Sequence, residues 1–146
     1  MNSNRFRILL AEKDAITAVD IVNIITDIGF DITSVVDSAV DAITKTEIDR
    51  PDLILMDIQL RGSLNGVEAA RILSFKYNIP VVFIATLELQ QIFSHDPSFK
   101  YRECIIKPVS HKKIFTTLEK SLLVKELNHN LIQDKSLPPA DGYKKL

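Results

Sequence analysis

Two hydrophobic periodicities alternate along this chain, and that alternation leaves few ways for it to fold. Phe6-Arg7-Ile8-Leu9-Leu10-Ala11 is a short apolar run closed by charge, which predicts a buried strand. Ala18, Ile21, Val22, Ile25 and Ile28 then recur at helical spacing, and Gly29 is a natural helix stop. Asp31 to Val36 is rich in β-branched residues and predicts a second strand. Asp37 or Ser38 caps a second helix with Ala39, Ala42 and Ile43 on its inner face. Leu53-Ile54-Leu55-Met56 is nearly pure apolar and ends at Asp57, the pattern of a central strand covered on both faces. A loop over Ile58 to Asn65 leads to a third helix carrying Val67, Ala69, Ala70, Ile72 and Leu73. Pro80 opens a fourth strand, Val81 to Ala85, and a short helix over Glu88 to Phe93 is expected to end before Asp96-Pro97. Cys104-Ile105-Ile106 is the fifth strand. The last helix starts near Ser110 and carries Ile114, Phe115, Leu118 and Leu122.

Five strand–helix alternations predict an α/β fold, a doubly wound parallel sheet with helices on both faces. The flavodoxin-like (βα)5 arrangement with strand order 2-1-3-4-5 is the leading solution. A compact domain is expected over 1–125. Over 126–146 an extension of the C-terminal helix and a linker-like tail are expected, the tail marked by Pro138-Pro139 and Gly142. Leu123, Val124, Leu127 and Leu131 continue an apolar stripe past the domain edge. It either pairs with a second copy, a homodimer, or leads into an output domain, or frays.

With a net charge of −1, no broad field draws the chain to nucleic acid or to an anionic membrane. The single cysteine, Cys104, and the scattered histidines His95, His111 and His129 give neither an intrachain disulfide nor a zinc pattern. A reducing, cytoplasmic setting is the expectation. No signal-like or bilayer-spanning apolar run is present in the sequence.

In open α/β sheets, chemistry gathers at the carboxyl ends of the strands. The first strand ends in Glu12-Lys13-Asp14, the third in Asp57, the fourth in Ala85-Thr86 and the fifth in Lys107-Pro108. Charged residues are common where a chain leaves a core, so no one of these is informative alone. Together they supply a nucleophilic carboxylate, a second acid for a hard cation such as Mg²⁺, a hydroxyl donor and a lysine charge. Those parts fit phosphoryl transfer, in which positioning and charge neutralisation do most of the catalysis.

From about Arg7 to Leu123 the chain resembles the receiver domains of response regulators in bacterial and archaeal two-component systems. Pro51-Asp52-Leu53-Ile54-Leu55-Met56-Asp57-Ile58-Gln59-Leu60, then Asn65-Gly66-Val67-Glu68-Ala69-Ala70, is similar to that family's phosphoacceptor strand, loop and third helix. Ile105-Ile106-Lys107-Pro108 is similar to its lysine–proline signature. The resemblance implies that Asp57 accepts a phosphoryl group from a histidine kinase, that Lys107 pairs with that group, and that Pro108 follows a cis peptide. It implies a Mg²⁺ site at Asp57, the Gln59 backbone carbonyl and Glu12, the last through a water. It implies a switch that changes affinity for a downstream protein or output domain, not a turnover enzyme.

Three positions depart from the family pattern. Lys13 stands where the second metal-binding acid is usual, and a protonated amine cannot ligate Mg²⁺. Glu12 and Asp57 carry two negative charges against two positive charges on Lys13 and Lys107, so weakened Mg²⁺ binding is expected. Asp14 is a possible substitute acid, but strand alternation turns it to the other face. Ala85 holds the place of the switch hydroxyl, with Thr86 either shifted inward to serve the site or left on the rim. Cys104 replaces the usual rotating aromatic. Lys13 and Ala85 support an alternative, a pseudo-receiver interaction module with weak or no dependence on Mg²⁺ and phosphorylation. A flavodoxin-like cofactor binder is disfavoured, because no Gly-rich phosphate loop follows the first strand.

Overall fold

The computed structural model describes residues 5–133, with side chains through Leu123. Five strands, β1 (Arg7–Ala11), β2 (Asp31–Val36), β3 (Leu53–Asp57), β4 (Val81–Ala85) and β5 (Cys104–Ile106), form one parallel sheet in the order β2-β1-β3-β4-β5. Helices α1 (Ala15–Ile28), α2 (Ala39–Asp49), α3 (Gly66–Lys76), α4 (Leu87–Phe93), α5 (Pro97–Lys100) and α6 (His111–Gln133) complete it.

Strand residues alternate between two cores, as a two-residue period requires. Leu9, Ile54, Met56 and Phe83 pack against α2 and α3 through Ala39, Ala42, Val67, Ala70 and Leu73. Ile8, Leu10, Leu55 and Ile84 pack on the other face against Ala18, Ile21 and Ile25 of α1 and Ile114 and Leu118 of α6. β3 is buried at every residue, so its last residue, Asp57, is carried to the rim inside the fold.

Local chemistry sets the helix ends. Asp14 caps α1, its Oδ1 accepting from the amides of Ile16 (2.9 Å) and Thr17 (3.1 Å). Gly29 closes α1 at φ +107°, a backbone region that glycine enters without steric cost. Ser38, one of the two expected caps, serves α2. Asn65 and Glu68 form a reciprocal capping box at α3, each side chain accepting from the other's amide.

The structure revises the expected pattern in two places. Asp96-Pro97 does not only follow a helix end; it begins α5. Asp96 accepts from the Ser98 amide at 2.8 Å, and proline occupies the first helical turn, where its missing N–H costs nothing. Phe99 of α5 is buried against Phe83, ring centroids 5.0 Å apart. Arg71 of α3 reaches Ser98 Oγ (3.0 Å) and Asp96 Oδ2 (3.2 Å), and Arg102 bonds the Ser98 carbonyl and Ser74 Oγ. The stretch is a helical turn clasped to α3. In addition, Ile72 and Phe115 lie outside the cores, at 39% and 43% exposed, whereas the adjacent Leu73 and Ile114 are buried. The stripe residues Val124, Leu127 and Leu131 and the tail over 134–146 lie outside the described side chains and residues.

Candidate functional site at the carboxyl rim of the sheet

Three of the charged residues expected at the strand ends meet. Glu12 follows β1 and is held by its amide to the Val36 carbonyl (2.9 Å); Lys107 follows β5 and is held by its amide to the Ala85 carbonyl (2.8 Å). Glu12 and Asp57 are buried, at 3% and 2% exposed. The Lys107 Nζ donates to Asp57 Oδ2 at 2.6 Å and lies 3.1 Å from Glu12 Oε1. The other oxygen of each acid is also occupied: Asp57 Oδ1 accepts the Gln59 amide (2.8 Å) and Glu12 Oε2 the Asp14 amide (3.0 Å). Glu12 Oε1 is close to the ammonium but off the hydrogen-bonding direction. It is the one buried side-chain polar atom without a hydrogen bond among the described residues.

Burial, a shared hydrogen bond with Asp57 and repulsion from that carboxylate push the Glu12 carboxyl up to about 7, against the Asp14 amide and Lys107, which favour its charged form. Burial alone would lower the Lys107 ammonium, but pairing with Asp57 and Glu12 outweighs it and raises it. A raised carboxyl stabilises the fold at low pH and loses that contribution as pH rises through its folded value. The metal-free protein is therefore expected to lose stability between about pH 4.5 and 7 from this group, and Glu12→Gln should flatten that slope. Urea unfolding of both proteins at pH 5 and pH 8 checks it; equal slopes would refute it.

Asp14 cannot serve as a substitute acid. Its carboxylate faces the first turn of α1, where the Thr17 and Ile16 amides hold it below the usual carboxylate range. Lys13 is exposed and forms no ion pair among the described residues. Ala85 is fully buried at the end of β4, whereas the exposed Thr86 caps α4, its Oγ1 accepting from the Leu89 amide (3.2 Å). Thr86 thus stands on the rim and is not drawn to the Asp57–Lys107 pair. Cys104 is half-buried against the α2–α3 core, and burial pushes its thiol up to about 11. The Lys107–Pro108 peptide is cis, as expected.

A divalent cation here would take Asp57, the Gln59 carbonyl and Glu12. The donors fit it poorly. The Lys107 ammonium already lies between the two carboxylates, and no group of three or more His, Cys, Asp or Glu is placed to hold a metal among the described residues. The residues present can supply a fixed carboxylate nucleophile and one cation to balance charge on an incoming oxyanion.

The sequence carries a signal for one further feature of the site, and the structure explains its neighbour. Asn65-x-x-Glu68 is a capping-box spacing, and Gly66 beside it is forced by space: a Cβ there would lie 2.2 Å from the Asp57 carbonyl oxygen. The contacts of Lys113 with the loop around Lys107 had no such signal.

The sheet order and the paired aspartate and lysine at its carboxyl rim define a doubly wound α/β domain with a charged site at the strand ends. The chain belongs to the response regulator receiver domain family, which residues 8–119 match. It is 34% identical over 84 residues to the DNA-binding response regulator MtrA of Mycobacterium tuberculosis, covering 58% of this chain but 36% of that protein. It is 22% identical over 113 residues to the transcriptional regulatory protein PdtaR of the same organism, covering 77% and 55% respectively. The signal receiver domain of a modulated diguanylate cyclase from Desulfovibrio desulfuricans superposes with a TM-score of 0.78 at 26% identity, over 86% of this chain and 99% of that domain. The chain thus spans about a third of MtrA and about half of PdtaR. Among the described residues no helix is long and apolar enough to cross a membrane.

Proposed function

We propose that this receiver domain accepts a phosphoryl group on Asp57 from the phosphohistidine of a partner kinase. The observation that carries the reading is the buried Asp57 carboxylate with one oxygen fixed by the Gln59 amide and the other 2.6 Å from Lys107. In the transfer the P–N bond to histidine breaks and an Asp57 Oδ–P bond forms, giving an acyl phosphate. Lys107 then follows the charge onto a phosphoryl oxygen. The switch so formed changes affinity for a downstream protein, an output domain or a second copy of the chain by shifting a two-state equilibrium. It is a cytoplasmic signalling module rather than a turnover enzyme. Mg²⁺, taken by Asp57, the Gln59 carbonyl and, through a water, Glu12, binds weakly, because Lys107 already lies between the two carboxylates and Lys13 stands where a further acid would be needed. Thr86, with its hydroxyl serving α4, stands at the rim of the site.

Incubation with acetyl phosphate, with and without Mg²⁺, followed by intact mass tests this. A single phosphoryl adduct is expected, and Asp57→Asn should abolish it; an adduct that persists in that variant would overturn the assignment. Lys13→Asp should tighten Mg²⁺ by on the order of tenfold or more, about the effect of 1.4 kcal/mol. Equal, tight binding in both proteins would defeat the charge argument.

A second reading is favoured by one observation. Asp14 is committed to capping α1, so among the described residues no third carboxylate joins Glu12 and Asp57. A pseudo-receiver that binds its partner without phosphorylation would give no adduct from acetyl phosphate or kinase under any condition.

A further inference from the structure

We infer that Lys113, on the first turns of α6, is a positioning residue for Lys107. The inference rests on the chemistry proposed at Asp57 and concerns how its cation is held there. Lys107 has the sheet on one side only, because β5 is the edge strand, three residues long, and pairs with β4 alone. Its amide is tied inward to Ala85. The Lys113 Nζ donates to the Ile106 carbonyl (3.1 Å) and to the Pro108 carbonyl (3.0 Å), the two residues that flank Lys107. Bonds from an ammonium are stronger than neutral ones, and Pro108 has no N–H with which its own loop could be tied. The Lys113 amide in turn donates to Ser110 Oγ (3.2 Å), which fixes the start of the helix that carries it. One exposed ammonium thus clamps the short loop on both sides of the residue that pairs with Asp57. A paired side chain presented from an unheld loop would wander by more than productive geometry tolerates.

The test uses the full chain labelled with ¹⁵N-lysine, with Lys107→Met to assign the Lys107 ammonium. A half-buried ammonium locked in an ion pair exchanges its protons more slowly than a free one and gives a sharper correlation. That signal is expected in the wild type and in Lys113→Arg, which keeps charge and two donors. In Lys113→Met it should broaden or shift, and phosphoryl adduct formation from acetyl phosphate should slow by about tenfold, with the urea midpoint little changed. A Lys113→Met protein with the wild-type signal and rate would overturn the inference. So would a loss of both in proportion to the unfolded fraction, equal losses in the Arg and Met variants, or a wild type with no protected Lys107 signal. Should the wild type take no phosphoryl group, the reading of the site as a phosphoacceptor fails, and the ammonium signal alone decides the role of Lys113.

Discussion

Gly66→Ala is expected to destabilise the protein by about 2–4 kcal/mol, a cost set by overpacking against backbone. Alanine is the better helix former by about 1 kcal/mol, so on helix propensity alone the substitution should stabilise. The contacts reverse that sign. A Cβ at residue 66 would stand 2.2 Å from the Asp57 carbonyl oxygen, 3.0 Å from its carbonyl carbon and 2.9 Å from Met56 Cγ. Two of those atoms belong to the backbone of the central strand, which is buried throughout and has neighbours on both sides. Relief would have to come from α3 moving outward, which breaks the Gly66 amide bond to the Ile58 carbonyl (2.8 Å) and pulls at the capping box. Otherwise the Asp57 peptide itself turns. Either route disturbs the phosphoacceptor, so phosphorylation should fall as well. Urea unfolding measures the first effect, and a variant as stable as the wild type would show that the close approach is not required.

Lys107→Met is the second large effect, and it should depend on pH. The substitution keeps much of the side-chain volume and removes the cation that touches both buried acids. Breaking a buried ion pair from one side costs about 3–5 kcal/mol, because the partner stays buried and uncompensated. At pH 8 that full penalty is expected. At pH 5 a proton taken up by Glu12 relieves it, since that carboxyl already lies high, at about 7, even with the lysine present. The sign is that of a raised acid: stability present at low pH and lost as pH climbs. Lys107→Met combined with Asp57→Asn should recover most of the loss at pH 8, with a coupling above about 1 kcal/mol between the two positions. Additive effects, or a penalty independent of pH, would show that the three charges do not act as one unit.

The sheet was legible in the sequence because its strands are buried on both faces. Leu53 to Met56 and Val81 to Ala85 can hardly be anything else, and the break at Asp57 marks where the core ends. The pairing of Asp57 with Lys107 follows from topology, since all strands of one parallel sheet bring their carboxyl ends to one edge, here with β4 between the two. What stayed hidden depends on distances that no period encodes. Asp14 and Lys13 are neighbours in sequence, yet one caps a helix and the other projects into solvent. Asp96-Pro97 reads locally as a break; only the reach of Arg71 and the burial of Phe99 make it a helical turn. Phe115 has helical spacing with Leu118 and Leu122 but falls just outside the core arc, beside Phe30 and Leu123.

The length of α6 has a mechanical consequence. It runs from His111 to Gln133, and its last buried residue among the described side chains is Leu118. Fifteen residues follow that anchor, about 22 Å of rod at the usual rise. Its base is bonded to the loop bearing Lys107 through Lys113. A tilt of about 10° about Leu118 sweeps the far end through about 4 Å. A shift of about 1 Å at the rim would therefore leave the domain about threefold larger, as a lever magnifies the motion of its short arm.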